Sequence, residues 1–96
     1  MRAVAMVFRV LIRGGNCLVE LKGCVQRLGF YVTRFVEASA PDEAARCGIE
    51  VVHAELTKRP LLNAPSDDPT IKVEEVSEVE DPYWPNTGFS WYREAD

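Results

Sequence analysis

The stretch from Leu28 to Leu56, LGFYVTRFVEASAPDEAARCGIEVVHAEL, constrains the fold of this chain more than any other, because it spells a strand, a turn and an amphipathic helix in succession. Phe30 to Val36 is rich in aromatic and β-branched residues, which suit a pleated, half-buried surface. Ser39 stands three residues before Asp42, a capping-box spacing in which the hydroxyl takes an amide of the first turn and the carboxylate reaches back. Pro41 fits the first turn, where a missing N–H costs nothing. Ala45, Ile49, Val52 and Leu56 recur at helical spacing and predict the core face, with Gly48 allowing close approach to a sheet. Glu43, Arg46, Glu50, His53 and Thr57 fall opposite. Lys58 and Arg59 favour the negative end of the helix dipole, and Pro60 stops further winding.

Upstream, Met6, Phe8, Val10 and Ile12 alternate with Val7, Arg9, Leu11 and Arg13, the period of a first strand with one apolar face. Arg13-Gly14-Gly15-Asn16 predicts a hairpin turn, since Gly and Asn accept the positive φ that tight turns require. A second strand then returns through Cys17, Val19 and Leu21, and the third is Phe30 to Glu37. Downstream, Pro60, Asn63, Pro65, Ser66, Asp67, Asp68 and Pro69 read as an exposed loop over residues 60–69. Thr70 to Val79 resumes a strand. Val73, Val76 and Val79 break its period of two, so either a bulge near Glu74-Glu75 shifts the register, the favoured alternative, or the end of the segment is helical. The expectation is an α+β domain with an antiparallel sheet in the order β-β-β-α-β, one helix on one face, and room for an extra C-terminal edge strand within Gly88 to Arg93.

Ninety-six residues suit one domain, 1–96, with residues 1–5 as a loose extension and 81–96 as an aromatic tail. Three cysteines, Cys17, Cys24 and Cys47, form no C-x-x-C pair, which argues against a disulfide framework and a zinc site and for reduced thiols. Arg9 interrupts the only apolar run near the N-terminus, so neither a leader nor a membrane span is expected and the chain reads as soluble and cytoplasmic. Charge is segregated: residues 1–59 carry a net +3 and residues 60–96 a net −7. The acidic segment either lies against the basic sheet, is simply solvated, or attracts a basic partner.

No glycine-rich phosphate loop, histidine pair or nucleophile elbow is present, and no catalytic residue, metal ligand or cofactor is assigned. His53, the only histidine, has Glu50 three residues away but no nucleophile beside it. Asp67-Asp68 reads as a solvated turn rather than a cation site. Arg9, Arg13, Arg27 and Arg34, with Tyr31 and Phe35, could form a platform for single-stranded nucleic acid, but a pI near 5.0 argues against phosphate neutralisation. The tail holds five of the nine aromatic residues, Tyr83, Trp84, Phe89, Trp91 and Tyr92. These either pack back over the sheet or form a recognition surface, since Trp and Tyr dominate binding hot spots.

Gly29-Phe30 leading through Ser39-Ala40-Pro41-Asp42-Glu43-Ala44 into the helix resembles the small βββαβ domain of HicB-like antitoxins over residues 6 to 80, and the chain is also similar to small bacterial proteins of this pattern. No DNA-binding helical module follows, and the resemblance transfers no functional residue. The expected function is a non-enzymatic protein-binding or regulatory module, acting on a protein partner or through self-association as a homodimer. Tyr83, Trp84, Phe89, Trp91, Tyr92, Arg34 and Tyr31 are the candidate binding residues. The alternatives are a small hydrolytic or nucleic-acid-processing enzyme using His53 with Glu50 or the Asp67-Asp68 turn, and an RNA-binding sheet.

Overall fold

The computed structural model describes residues 6–80 and 88–94. Strands β1 (Met6–Leu21) and β2 (Cys24–Ala38) form a long hairpin, followed by helix α1 (Pro41–Thr57), strand β3 (Thr70–Val79) and a short strand β4 (Ser90–Arg93). All pairings are antiparallel, and the sheet order is β3-β1-β2-β4. The α+β class and the single sheet-packed helix agree with the sequence, and the C-terminal edge strand forms. The element order is β-β-α-β-β, because the first two expected strands are one.

Gly14-Gly15-Asn16 does not turn the chain. Gly14 pairs with Phe30 and Cys17 with Leu28, so β1 carries one extra residue there and the hairpin continues through a bulge, with Asn16 at φ 57°. The reason is tertiary: Phe30 lies across Gly14 so closely that a Cβ on Gly14 would sit 1.9 Å from its ring. The turn falls at Lys22-Gly23, whose φ values of 51° and 83° suit a two-residue hairpin loop. A second bulge lies in β3. Leu11 pairs with Glu75 and Ile12 with Val73, leaving Glu74 as the extra residue and returning Val73 and Val76 to the same face.

The cap and the first half of the buried helix stripe each fall one residue from the expected positions, while Val52 and Leu56 are buried as expected. Ala40 is the N-cap, with Pro41 at the first position, and Glu43 rather than Asp42 accepts from the Ser39 hydroxyl and backbone N–H. Those hydrogen bonds hold the Glu43 carboxyl below its ordinary range. The buried line is Ala44, Gly48, Val52 and Leu56, with Ala45 and Ile49 only partly covered. Gly48 sets this rotation, since a Cβ there would lie 2.9 Å from Val10 Cγ1, so the helix rests on β1 along its glycine.

The core lies between α1 and one sheet face, formed by Phe8, Val10, Ile12, Cys17, Phe30 and Val32 under Ala44, Val52 and Leu56. Leu61 packs against this core, so the segment after the helix is not all exposed loop. The Asn63 side chain anchors it by accepting the Leu18 N–H and donating to the carbonyls of Asn16 and Asp67. The other sheet face carries Val7, Arg9, Leu11 and Arg13, with Tyr31, Thr33 and Phe35 opposite them. Among the described residues, no helix is long and apolar enough to cross a membrane.

Candidate functional site

Two aromatic residues fill the space above two glycines, on opposite faces of the sheet. Phe30 covers Gly14 on the helix side. Tyr92 covers Gly29 on the other side, where a Cβ would meet the tyrosine ring at 2.3 Å. Because β4 pairs beside β2, Tyr92 reaches across Gly29 toward β1 and meets Arg13. Arg13 Nε donates to the Tyr92 hydroxyl at 3.0 Å. The guanidinium carbon lies 5.7 Å from the Tyr31 ring centroid and 5.9 Å from that of Tyr92, and the two rings are 5.5 Å apart. Arg13 is thereby fixed between two phenol rings on the exposed sheet face.

Beside this cluster is a groove of about 430 Å³ lined by Arg13, Thr70, Lys72, Tyr92 and Glu94 with Gly14, Gly15 and Ile71. The Asn16 bulge builds one wall, because its backbone N–H donates to the Glu94 carboxylate. The same asparagine side chain donates to Asp67 at 2.9 Å and to the Asp68 carbonyl at 3.2 Å, tying the loop before β3 to the bulge. The Tyr92 hydrogen bond and the nearby Tyr31 raise the pKa of Arg13, so its charge is permanent. A rigid guanidinium with aromatic flanks and a neighbouring ammonium offers N–H donors and flat apolar area together. That combination can donate to carboxylate or carbonyl oxygens beside a flat apolar surface.

The expected site residues divide between the faces. Tyr31 and Tyr92 come together as described. Phe89 and Trp91 instead pack on the helix side against Phe30, at centroid distances of 4.9 and 5.4 Å, and stack on each other at 5.5 Å. Arg34 is also on that side and 6% exposed, with Nε and Nη2 donating to Glu55 at 2.8 and 2.5 Å and its guanidinium 5.5 Å from the Phe89 ring. Arg34 therefore does not join Tyr31 on a common basic platform, since residues three apart on one strand point to opposite faces. Arg9, on the Tyr31 side, pairs with Glu75 at 3.4 Å. Tyr83 and Trp84 lie outside the described residues. In the sequence Arg13 is one cation among four in or next to the sheet, and no local signal marks Lys72 or Glu94. Arg13 shares the parity of Tyr31 through the pairing of their strands, but that register depends on where the hairpin turns.

His53 is exposed and shares a small, mainly apolar cleft of about 90 Å³ with Asp68 and Thr57, while Glu50 is not among its lining residues. The Thr57 hydroxyl donates to the Ala54 carbonyl at 2.8 Å, so it is held by its own helix rather than aimed at the histidine. Among the described residues, no cluster of His, Cys, Asp and Glu could hold a metal ion. Comparison of the chain with protein-family models, with curated proteins and with solved structures finds no match to any of them.

Proposed function

We propose that this chain is a non-enzymatic protein-binding module whose contact surface is the sheet face around Arg13, Tyr31 and Tyr92. The observation that supports it is the exposed Arg13 guanidinium, held between two tyrosine rings and hydrogen-bonded to one of them. Arg and Tyr are enriched at binding hot spots, and a pre-ordered arginine loses less side-chain entropy on binding than a free one. The groove's Lys72 adds a second cation, so a partner segment with a carboxylate beside an aromatic or aliphatic residue complements it best. A regulatory role exerted through such a contact belongs to the same proposal.

The test is site-specific photo-crosslinking from position 31 in lysate of the native host, with adducts identified by mass spectrometry, for the native chain and for Arg13→Glu. A defined adduct that Arg13→Glu abolishes, while circular dichroism stays native, supports the proposal. The same adduct in both chains, or none in either, refutes it.

A further inference from the structure

The apolar face of the sheet runs on past the helix that covers it. Strand β3 pairs with β1 only as far as Gly15, and β4 with β2 only from Leu28, so residues 18–27 project as a two-stranded arm. Helix α1 ends at Thr57, and the chain after it reaches the base of this arm, where the Leu62 N–H donates to the Leu18 carbonyl at 2.8 Å. Cys17 pairs with Leu28 on the helix side, so Val19 and Leu21 continue the row of Phe8, Val10 and Ile12 on that side. Glu20 and its partner Val25 point to the opposite face. Along this row Cys17 is fully buried and Leu21 is 45% exposed, so cover is lost within four residues.

Where the cover ends lies a groove of about 320 Å³. Val19, Leu21, Leu28 and Trp91 form its floor and Arg59, Pro60 and Leu61 its wall, while Glu20 adds only backbone at the edge. Arg59 is the one cation of the lining. Its guanidinium carbon lies 4.6 Å from the Phe89 ring centroid and 5.4 Å from that of Trp91, and these two rings stack on each other. Among the described residues Arg59 is in no ion pair, and the Glu55 carboxylate, four residues earlier, gives both its oxygens to Arg34.

We propose that this groove binds a medium-chain aliphatic carboxylic acid, its acyl chain along the floor and its carboxylate on Arg59. The ligand class follows from what the groove offers: aliphatic walls, a single cation and no carboxylate turned into it. One guanidinium donates two parallel N–H groups to a carboxylate, and an arginine already ordered by two rings loses little freedom in doing so. A peptide fits this floor worse. Backbone groups in a sheet point at neighbouring strands rather than out of its face, so peptide amides laid over it would be desolvated without partners. An acyl chain has no such groups to satisfy. The volume is at the low end of the roughly 300–1,000 Å³ of small-molecule sites, which suits one unbranched chain rather than a two-chain lipid. Arg13, Tyr31 and Tyr92 lie on the other face, so the acid site stands apart from the protein-binding proposal above.

The test is a two-dimensional amide NMR titration of the full chain with octanoate, with 1-octanol as the uncharged control. The expected result is a saturable, single-site shift of the Val19, Leu21 and Leu28 amides and of the Trp91 indole N–H. Octanol should produce it with affinity about fivefold weaker. Arg59→Gln should lower octanoate affinity about fivefold and leave octanol binding unchanged. Leu21→Glu, at a side chain already exposed, places a like charge on the floor and should lower octanoate affinity at least about tenfold. Leu21 takes no part in the Phe89 and Trp91 contacts of Arg59, so this variant decides the case if Arg59→Gln disturbs the fold. No saturable shift, shifts centred on Tyr31 and Tyr92, or equal affinities for octanoate and octanol that neither variant separates would each overturn the proposal.

Discussion

Replacing Glu55 by Gln tests the most demanding polar contact in the fold. Arg34 is 6% exposed, and its Nε and Nη2 both donate to the Glu55 carboxylate, with Nη1 donating to the Thr33 carbonyl at 2.8 Å. Breaking a fully buried ion pair costs about 3–5 kcal/mol, because one charge is left without compensation. Here the Glu55 side chain is 34% exposed, so water already screens the pair, and Gln retains one acceptor. The loss should therefore be about 2 kcal/mol at neutral pH, a fall of roughly 1.5 M in the urea midpoint for a domain of this size.

The pH dependence fixes the mechanism. Hydrogen bonds from Arg34 hold the Glu55 carboxyl below its ordinary value of 4.5, against a smaller opposing effect of burial. A depressed carboxyl pKa contributes stability that is complete above the unfolded value and lost as pH falls through the folded one. Urea titrations of both chains should thus differ fully at pH 7 and converge as pH drops below 4.5. Arg34→Met combined with Glu55→Leu should cost less than Glu55→Gln alone, since it leaves no buried charge. A pH-independent difference, or no loss at pH 7, would refute the assignment of this pair as a buried structural contact.

Gly14→Ala should destabilise by about 3 kcal/mol, since the displaced Phe30 ring is fully buried, whereas Gly29→Ala should cost about 1 kcal/mol because Tyr92 can swing outward, as urea melts will show. Gly29→Ala should also release Arg13 from Tyr92, visible as faster motion at Arg13 Nε by NMR relaxation. Among the thiols, exposed Cys24 should react with a disulfide reagent well before Cys17, which is buried and whose pKa burial raises to about 11; equal rates in the folded chain would contradict the burial of the bulge. Asn63→Ala should cost about 2 kcal/mol through loss of the Leu18, Asn16 and Asp67 contacts, with faster amide exchange at Leu18 than at Val10 as the diagnostic.

The strand-turn-helix of Leu28 to Leu56 was legible because each signal acts within a few residues: aromatic and β-branched residues in Phe30 to Val36, proline at the first helical position, period near 3.6 through Leu56. The bulge at Glu74 was legible for the same reason, as a break in a local period. The sequence also determines the placement of Arg34, which shares its strand parity with Phe30 and Val32 and so faces the core. Tertiary contacts alone decided the rest. Gly14-Gly15-Asn16 permits a turn or a bulge equally well, and Phe30 closing over Gly14 selects the bulge, which moves the hairpin loop to Lys22-Gly23. Which tail aromatics join the core and which flank Arg13 follows from the pairing of β4 with β2, a contact between segments more than fifty residues apart that no local period encodes. Local chemistry determined the elements; the pairing of distant glycines and aromatic rings determined where the sheet turns, how far its arm projects and which surface it presents.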